Sequence, residues 1–257
     1  MGLILDRVSV ALGKRPVLDG VSARFGAGAV SVVLGPNGAG KTTLARAAAG
    51  LIGYQGRISV DDDDLAAIPA AERARRIGYL PQRAEVSWPL TVAELVTLGR
   101  LPWRDRFAAP AAPDRAAIEQ AMAATDTAGL ADRPVNTLSG GERARVLLAR
   151  VLAGEPRWLI ADEPLASLDP AHQIDLIERL RALAATGVGV VLILHDLHHA
   201  MRVADHVVLL RDGRVLAHGL PAEVIAPAPL EAAYGIGFEL IATHNGAIPV
   251  AVPRATR

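Results

Sequence analysis

Apolar and polar residues alternate through the first 25 positions (LILDRVSVAL, then VLDGVSARF), the period of half-buried strands joined by a turn at Gly13-Lys14-Arg15-Pro16. Unbroken apolar runs follow in AVSVVL (29–34), RWLIAD (157–162) and GVVLIL (189–194), each the length of a buried strand. YQGRISV (54–60) predicts an edge strand and RRIGYLPQ (75–82) a strand ended by Pro81. HVVLLRDGRVLA (206–217) predicts a hairpin turning at Asp212-Gly213. From about Arg83 to Leu152 the period becomes helical in Ala-rich sequence: TVAELVTLGR, PDRAAIEQAMAAT and SGGERARVLLARVLA, with RFAAPAAPD (106–114) as a connector. Another helix is expected over residues 170–185. Strands alternating with long helices predict an α/β fold with a parallel sheet, interrupted here by a helical insert. Beyond Thr243 the periodicity stops, and residues 243–257 are expected to be a poorly ordered tail.

Composition narrows the classes. At 257 residues and 51% hydrophobic, the chain can bury a sizeable core as one large domain or two joined lobes. Its 27 basic and 27 acidic side chains cancel, so a general electrostatic footprint for nucleic acid is missing. Without cysteine there are no disulfides or thiolate metal sites, which is compatible with a reducing compartment. No apolar run approaches the roughly 20 residues of a membrane helix, and Asp6 and Arg7 come too early for a signal peptide. Any membrane connection is therefore expected to pass through a partner. The acidic run Asp61 to Asp64 has the wrong spacing for a calcium loop and reads as a solvated turn. His198-His199 reads as a helix surface, not a metal pair.

The sharpest chemistry lies in GPNGAGKTT. Gly35, Gly38, Gly40, Lys41 and Thr42 fill every fixed position of G-x-x-x-x-G-K-[ST], with Pro36, Asn37, Ala39 and Thr43 completing the loop. Glycines let backbone N–H groups close round a polyphosphate. Lys41 offers a point charge to the β and γ phosphates, and Thr42 offers a hydroxyl to Mg²⁺. The loop follows a predicted strand and opens a predicted helix, whose dipole favours a bound phosphate. RWLIADEP adds carboxylates at a strand's C-terminal end, where ligands sit on open parallel sheets. Asp162 there suits a Mg²⁺ ligand and Glu163 a general base for water. In LSGGERARV, Ser139 can cap a helix with Glu142 at the capping-box position, while Gly140 and Gly141 expose N–H groups. That is a second anion-seeking helix end.

With these three segments in this order, the chain resembles an ATP-binding cassette (ABC) ATPase from about Leu3 to Phe238. The resemblance implies a RecA-like P-loop NTPase core with an N-terminal antiparallel β subdomain and an inserted α-helical subdomain. It would divide the chain into one ABC ATPase domain over residues 1–242 (core 1–82 and 157–242, insert 83–156) and a tail over 243–257. It implies ATP and Mg²⁺ as cofactors, Gln82 as a residue sensing Mg²⁺ and the γ phosphate, and His195 as a switch at the γ phosphate. Ser167 to Asp169 would touch the opposite subunit. Ser139, Gly140, Gly141 and Glu142 would meet the partner's nucleotide in a head-to-tail homodimer. The sequence departs from the family twice: Leu12 stands where an aromatic usually stacks on adenine, and Glu142 where Gln is more usual. The Leu12 departure implies lax base recognition.

A P-loop kinase or GTPase leaves LSGGE unexplained, and no N-K-x-D segment is present to read guanine. Ribosomal and repair members of the family carry a second cassette or long coiled coils, which this chain lacks. VSWPLTVAELVTLGRLPW (86–103), with Gly99-Arg100 ahead of a proline, and LEAAYGIGFEL resemble the ATPases of bacterial importers for ferric siderophores, haem and cobalamin. This likeness implies an integral-membrane permease as partner, a substrate-binding protein acting indirectly, no nucleic acid, and a peripheral position on the cytoplasmic face of the cell membrane. A siderophore stands first among the expected cargoes. Trp88, Trp103 and Phe107 in the insert are the expected permease surface, since aromatics favour partner surfaces. The alternatives are a metal-ion transporter, an exporter or a non-transport ABC ATPase.

Overall fold

A computed structural model describes residues 1–82, 89–104, 109–166, 168–243 and 246–253. The opening alternation forms an antiparallel pair, β1 (Gly2–Leu12) and β2 (Arg15–Gly26). β3 (Val30–Leu34) leads through the phosphate loop into α1 (Lys41–Ala48). β4 (Gln55–Val60) pairs with β1 and with the two-residue β5 (Asp63–Asp64), giving a four-stranded sheet in the order β2-β1-β4-β5. β4 is thus interior, not the edge strand its sequence suggests. The acidic run is not a free turn either: Asp63 and Asp64 are themselves the edge, where charge discourages further pairing. The Asp61 side chain is only 8% exposed, with the Arg157 guanidinium 3.6 Å away.

The chain continues through α2 (Ala70–Arg76) and β6 (Ile77–Leu80), then enters the insert: α3 (Val92–Thr97), α4 (Ala112–Ala124) and α5 (Gly140–Leu152). It returns with β7 (Trp158–Asp162), α6 (Pro170–Ala185), β8 (Gly189–Ile193), α7 (Leu197–Val203), β9 (His206–Arg211) and β10 (Arg214–Gly219). The central sheet runs β10-β9-β3-β8-β7-β6 and is parallel apart from β10. The continuous apolar runs reflect burial on both faces. Val30, Val32, Leu34, Leu159, Ala161, Val190 and Leu192 join the core shared with α5 and α6. Val33, Trp158, Ile160, Val191 and Ile193 face α1 and the antiparallel sheet. Period 2 assigns each side chain to one core or the other.

The insert is fastened to the core by a buried cation. Arg100, 4% exposed, donates through Nε to Asp114 Oδ1 at 2.9 Å and through Nη1 to the Ala153 carbonyl at 2.9 Å and Glu155 Oε2 at 2.6 Å. The Asp114 carboxyl is held below its usual range, first by the Arg100 hydrogen bond and then by the Ala111 N–H. Gly99 makes this approach possible, because a Cβ there would lie 2.0 Å from the Arg150 carbonyl oxygen. Trp103 sits between the Arg75 and Arg100 guanidiniums, 4.8 and 4.9 Å from its ring centre, and donates Nε1–H to the Gly154 carbonyl. The Gly99-Arg100 pair therefore has a structural reason. Trp88 and Phe107 lie outside the described residues, as does Ser167.

The expected tail is corrected in part. After α8 (Pro221–Val224) and α9 (Pro227–Tyr234), β11 (Gly237–Thr243) pairs with β12 (Gly246–Val252) as an antiparallel hairpin. Pro249, opposite Leu240, is tolerated because, among the described residues, β12 pairs with β11 alone. No helix among the described residues is long and apolar enough to cross a membrane.

Candidate active site

Four parallel strands end at one rim, and each delivers a predicted residue. β3 opens into the phosphate loop, β7 ends at Asp162, β8 is followed by His195, and β6 by Gln82. The loop needs its glycines. Gly35 has φ 148°, and a Cβ on it would stand 2.3 Å from the Leu210 carbonyl oxygen; at Gly40, φ 98°, a Cβ would meet Leu18 at 2.6 Å. Ala39 is buried, while Asn37 and Gly38 face solvent. Lys41, 7% exposed, folds back to donate Nζ–H to the carbonyls of Gly35 at 2.7 Å and Pro36 at 3.0 Å. Burial lowers its pKa, opposed by the nearby charges of Glu163 and Asp162.

Thr42 and Asp162, 120 residues apart in sequence, meet: the Thr42 hydroxyl donates to Asp162 Oδ1 at 3.1 Å. The Tyr79 hydroxyl donates to Oδ2 at 3.2 Å. Asp162 is 1% exposed, and burial pushes its carboxyl above the usual range despite both donors. A buried carboxylate with the Thr42 and Tyr79 hydroxyls alongside is a hard-oxygen set that fits a divalent cation. Tyr79 was not singled out from sequence. Its alternation within RRIGYLPQ marked a strand but not the partner its ring would reach.

Glu163 holds a left-handed backbone (φ 48°), uncommon for a residue with a Cβ and typical of functional turns. Its N–H donates to the Ile193 carbonyl, which anchors the turn to β8. Gln82 Nε2 donates to Glu163 Oε2 at 2.5 Å, and His195 Nδ1 lies 3.9 Å from the same oxygen. These three predicted residues are therefore brought together. The cleft beside them, about 500 Å³, is lined by Asn37, Gly38, Gly40, Lys41, Thr42, Thr43 and Glu163 at one end. Leu12, Arg15, Pro16, Val17, Asp212 and Gly213 line the other. Leu12, 53% exposed, lines the same cleft as the phosphate loop.

Ser139, Gly140, Gly141 and Glu142 do not line this cleft. Ser139 caps α5, its Oγ accepting from the Glu142 N–H at 3.3 Å, and Glu142 Oε2 accepts from the Ser139 N–H at 2.8 Å. Glu142 Oε1 takes a hydrogen bond from Arg133 at 2.8 Å, so both of its oxygens are engaged within the chain. The Ser139 bonds, then Arg133, hold its carboxyl below the usual range. Ser139 and Gly140 are exposed. His199 is not a plain helix surface: it is half-buried, and its Nε2 lies 2.9 Å from Gln173 Oε1.

A family model described as ABC transporter matches residues 18–166, more than half of the chain, and the chain belongs to that family. The hemin import ATP-binding protein HmuV of Jannaschia sp. is 41% identical over 263 residues, covering 99% of this chain and 95% of the relative. HmuV of Streptomyces coelicolor is 48% identical over 228 residues, covering 88% and 80%. Among solved structures, a chain described as part of an inward-facing metal-chelate type ABC transporter superposes with a TM-score of 0.84 at 24% identity, over 98% of this chain and 97% of that one. CbiO1 of Clostridium perfringens, described as part of the ABC transporter complex cbiONQ, gives 0.78 at 27% identity over 90% and 92%.

Proposed function

We propose that the protein is the ATP-hydrolysing subunit of a bacterial importer, working as a head-to-tail pair beneath a separate permease that a substrate-binding protein supplies. The observation that carries this reading is the meeting of Gln82, Glu163 and His195 at one rim, beside the phosphate loop and the Thr42–Asp162 pair. Triphosphate oxygens take the loop N–H groups and the Lys41 ammonium, which exchanges the Gly35 and Pro36 carbonyls for phosphate. Thr42, Asp162 and Gln82 would hold Mg²⁺, which would supply positive charge against the triphosphate. Glu163 accepts a proton from water as its oxygen attacks the γ phosphorus. The bond to the β–γ bridging oxygen breaks, and ADP and phosphate leave. His195, exposed beside Glu163, orients the γ phosphate.

The exposed Ser139 hydroxyl and Gly140 N–H serve the partner copy's nucleotide, and two-fold symmetry gives two equivalent sites. Mixing Lys41→Ala with Ser139→Arg subunits tests this, since one intact site per mixed pair should restore hydrolysis. A mixture that remains inactive while both variants are folded and pair would mean either that the trans arrangement is wrong or that both sites must function together. For the cargo, the names of the relatives favour haem over the siderophore placed first from sequence. The domain division follows the core at 1–82 and 157–242, with the insert between. The working place is the cytoplasmic face of the membrane, through the permease. A deletion strain should lose growth on haem as sole iron source. Normal haem, siderophore and cobalamin use, with new sensitivity to a toxic compound, would indicate an exporter instead.

A further inference from the structure

Several contacts converge on the first turn of α6 that the hydrolytic chemistry does not use. Asp169 caps this helix, accepting from the His172 N–H at 3.0 Å, and the His172 Nδ1 lies 2.7 Å from Asp169 Oδ2. These bonds hold the Asp169 carboxyl below its usual range, so Asp169 is anionic and Nδ1–H is the donor. With the ring fixed from one side, its other edge rests on the signature turn, the Ser139–Gly141 start of α5. A Cβ on Gly141 would stand 2.0 Å from His172 Cδ2 and 2.4 Å from Nε2. The imidazole therefore occupies the space that any side chain at 141 would need. Gly141 is buried beneath it, while Ser139 and Gly140 are exposed.

The next residue makes the opposite connection. Gln173 donates Nε2–H to the Leu165 carbonyl at 3.3 Å, which turns its Oε1 to the His199 Nε2 at 2.9 Å. Burial lowers the His199 pKa, so its ring is neutral, and the bond to Gln173 assigns its one N–H to Nε2. Leu165 lies two residues beyond Glu163, and His199 lies on the helix that follows His195. The residues Glu163, Leu165, Gln173, His195 and His199 also line one small cavity, of about 180 Å³.

We propose that His172 and Gln173 are positioning residues that couple the two nucleotide sites of the pair. Gln173 ties the Glu163 turn and the His195 helix to α6. His172, one residue earlier on the same rigid turn, carries any displacement to Gly141, in the turn presented to the partner's nucleotide. A shift at the γ-phosphate end of one site thus moves the signature turn serving the other, and by linkage the reverse also holds. This rests on the head-to-tail reading above and adds the route by which the sites communicate.

The test uses the full chain, with hydrolysis followed across ATP concentration, nucleotide affinity measured separately, and melting temperature confirming folding. The unsubstituted protein should show a Hill coefficient above 1. His172→Ala and Gln173→Ala should bring it to about 1 and lower kcat by up to about 100-fold, as for a displaced catalytic group, with binding to a single site kept. Gly141→Ala should be inactive because its methyl meets the ring, and Gly141→Ala combined with His172→Ala should recover to the His172→Ala level. Unchanged Hill coefficient and kcat in both alanine variants, or a double variant no better than Gly141→Ala, would overturn the coupling role. If the unsubstituted protein neither pairs with ATP nor shows cooperativity, the head-to-tail reading itself fails, and the coupling with it.

Discussion

Replacing Lys41 by Met separates what the phosphate loop does for ATP from what it does for the fold. Met retains the apolar stem and removes the ammonium. In the free protein that ammonium donates to the Gly35 and Pro36 carbonyls, bonds of about 1.5–3 kcal/mol each when the donor is charged. Against them stands the cost of burying a cation that is only 7% exposed, several kcal/mol per ion. The two terms nearly cancel, so Lys41→Met should change nucleotide-free stability by no more than about 1 kcal/mol, or about 2–4 °C in Tm for a chain of this size. With ATP at a hundred times Kd, the unsubstituted protein gains about 2.7 kcal/mol by mass action. This corresponds to a Tm rise of about 5–11 °C. Lys41→Met should show almost none of that rise. Thermal unfolding by circular dichroism, with and without Mg²⁺ and ATP, reads both numbers. A full ATP-induced rise in the variant would place the phosphates elsewhere. A loss above about 3 kcal/mol without nucleotide would make Lys41 a structural residue.

Asp162→Asn gives a pH test. The folded carboxyl is raised above its ordinary value of 3.8 by burial, so its favourable contribution is present below that pH and is lost as pH rises through the folded value. At neutral pH the nucleotide-free Asn variant should therefore melt higher than the unsubstituted protein, while Mg²⁺ no longer strengthens nucleotide binding. A lower melting point at pH 7 would contradict the reading that burial of the Asp162 carboxylate outweighs its bonds from Thr42 and Tyr79. Gly99→Ala forces a Cβ against the Arg150 carbonyl and should cost about 1–3 kcal/mol in urea unfolding, leaving ATP affinity in the folded protein unchanged. Leu12→Tyr should tighten ATP by about 0.5–1.5 kcal/mol through ring stacking. In the unsubstituted protein GTP should compete nearly as well as ATP, and a hundredfold ATP preference would show that another group reads the base.

Local signals in the sequence carried much of the architecture. The phosphate loop, the strand ending at Asp162, the hairpin at Asp212-Gly213 and the capping box at Ser139–Glu142 are each contained within a dozen residues. Their side-chain periods and turn chemistry point the same way as the tertiary structure. What escaped depends on partners distant in sequence. Gly99-Arg100 is explained only by Asp114, Arg150 and Ala153, and Tyr79 only by Asp162. His172 carries no signal in the sequence because nothing near it in the chain announces Gly141. The β12 strand escapes for a different reason: Pro249 interrupts the short run GAIPVAV and argues against a strand, which only the pairing with β11 establishes. β4 was placed at an edge because the acidic residues after it do not read as a strand. The association of Gln82, Glu163 and His195 came from family resemblance, not from spacing, and the common rim of four parallel strands supplies its physical basis.

The account turns on Glu163 as the group that takes the proton from water. Purified Glu163→Gln protein should bind Mg²⁺ and ATP with affinity close to that of the unsubstituted chain, since the phosphate loop and the Thr42–Asp162 pair are untouched. Its amide, unable to accept that proton, should leave steady-state phosphate release at the level of a reaction without enzyme. Phosphate release from Glu163→Gln at the unsubstituted rate, with nucleotide bound, would contradict the mechanism outright.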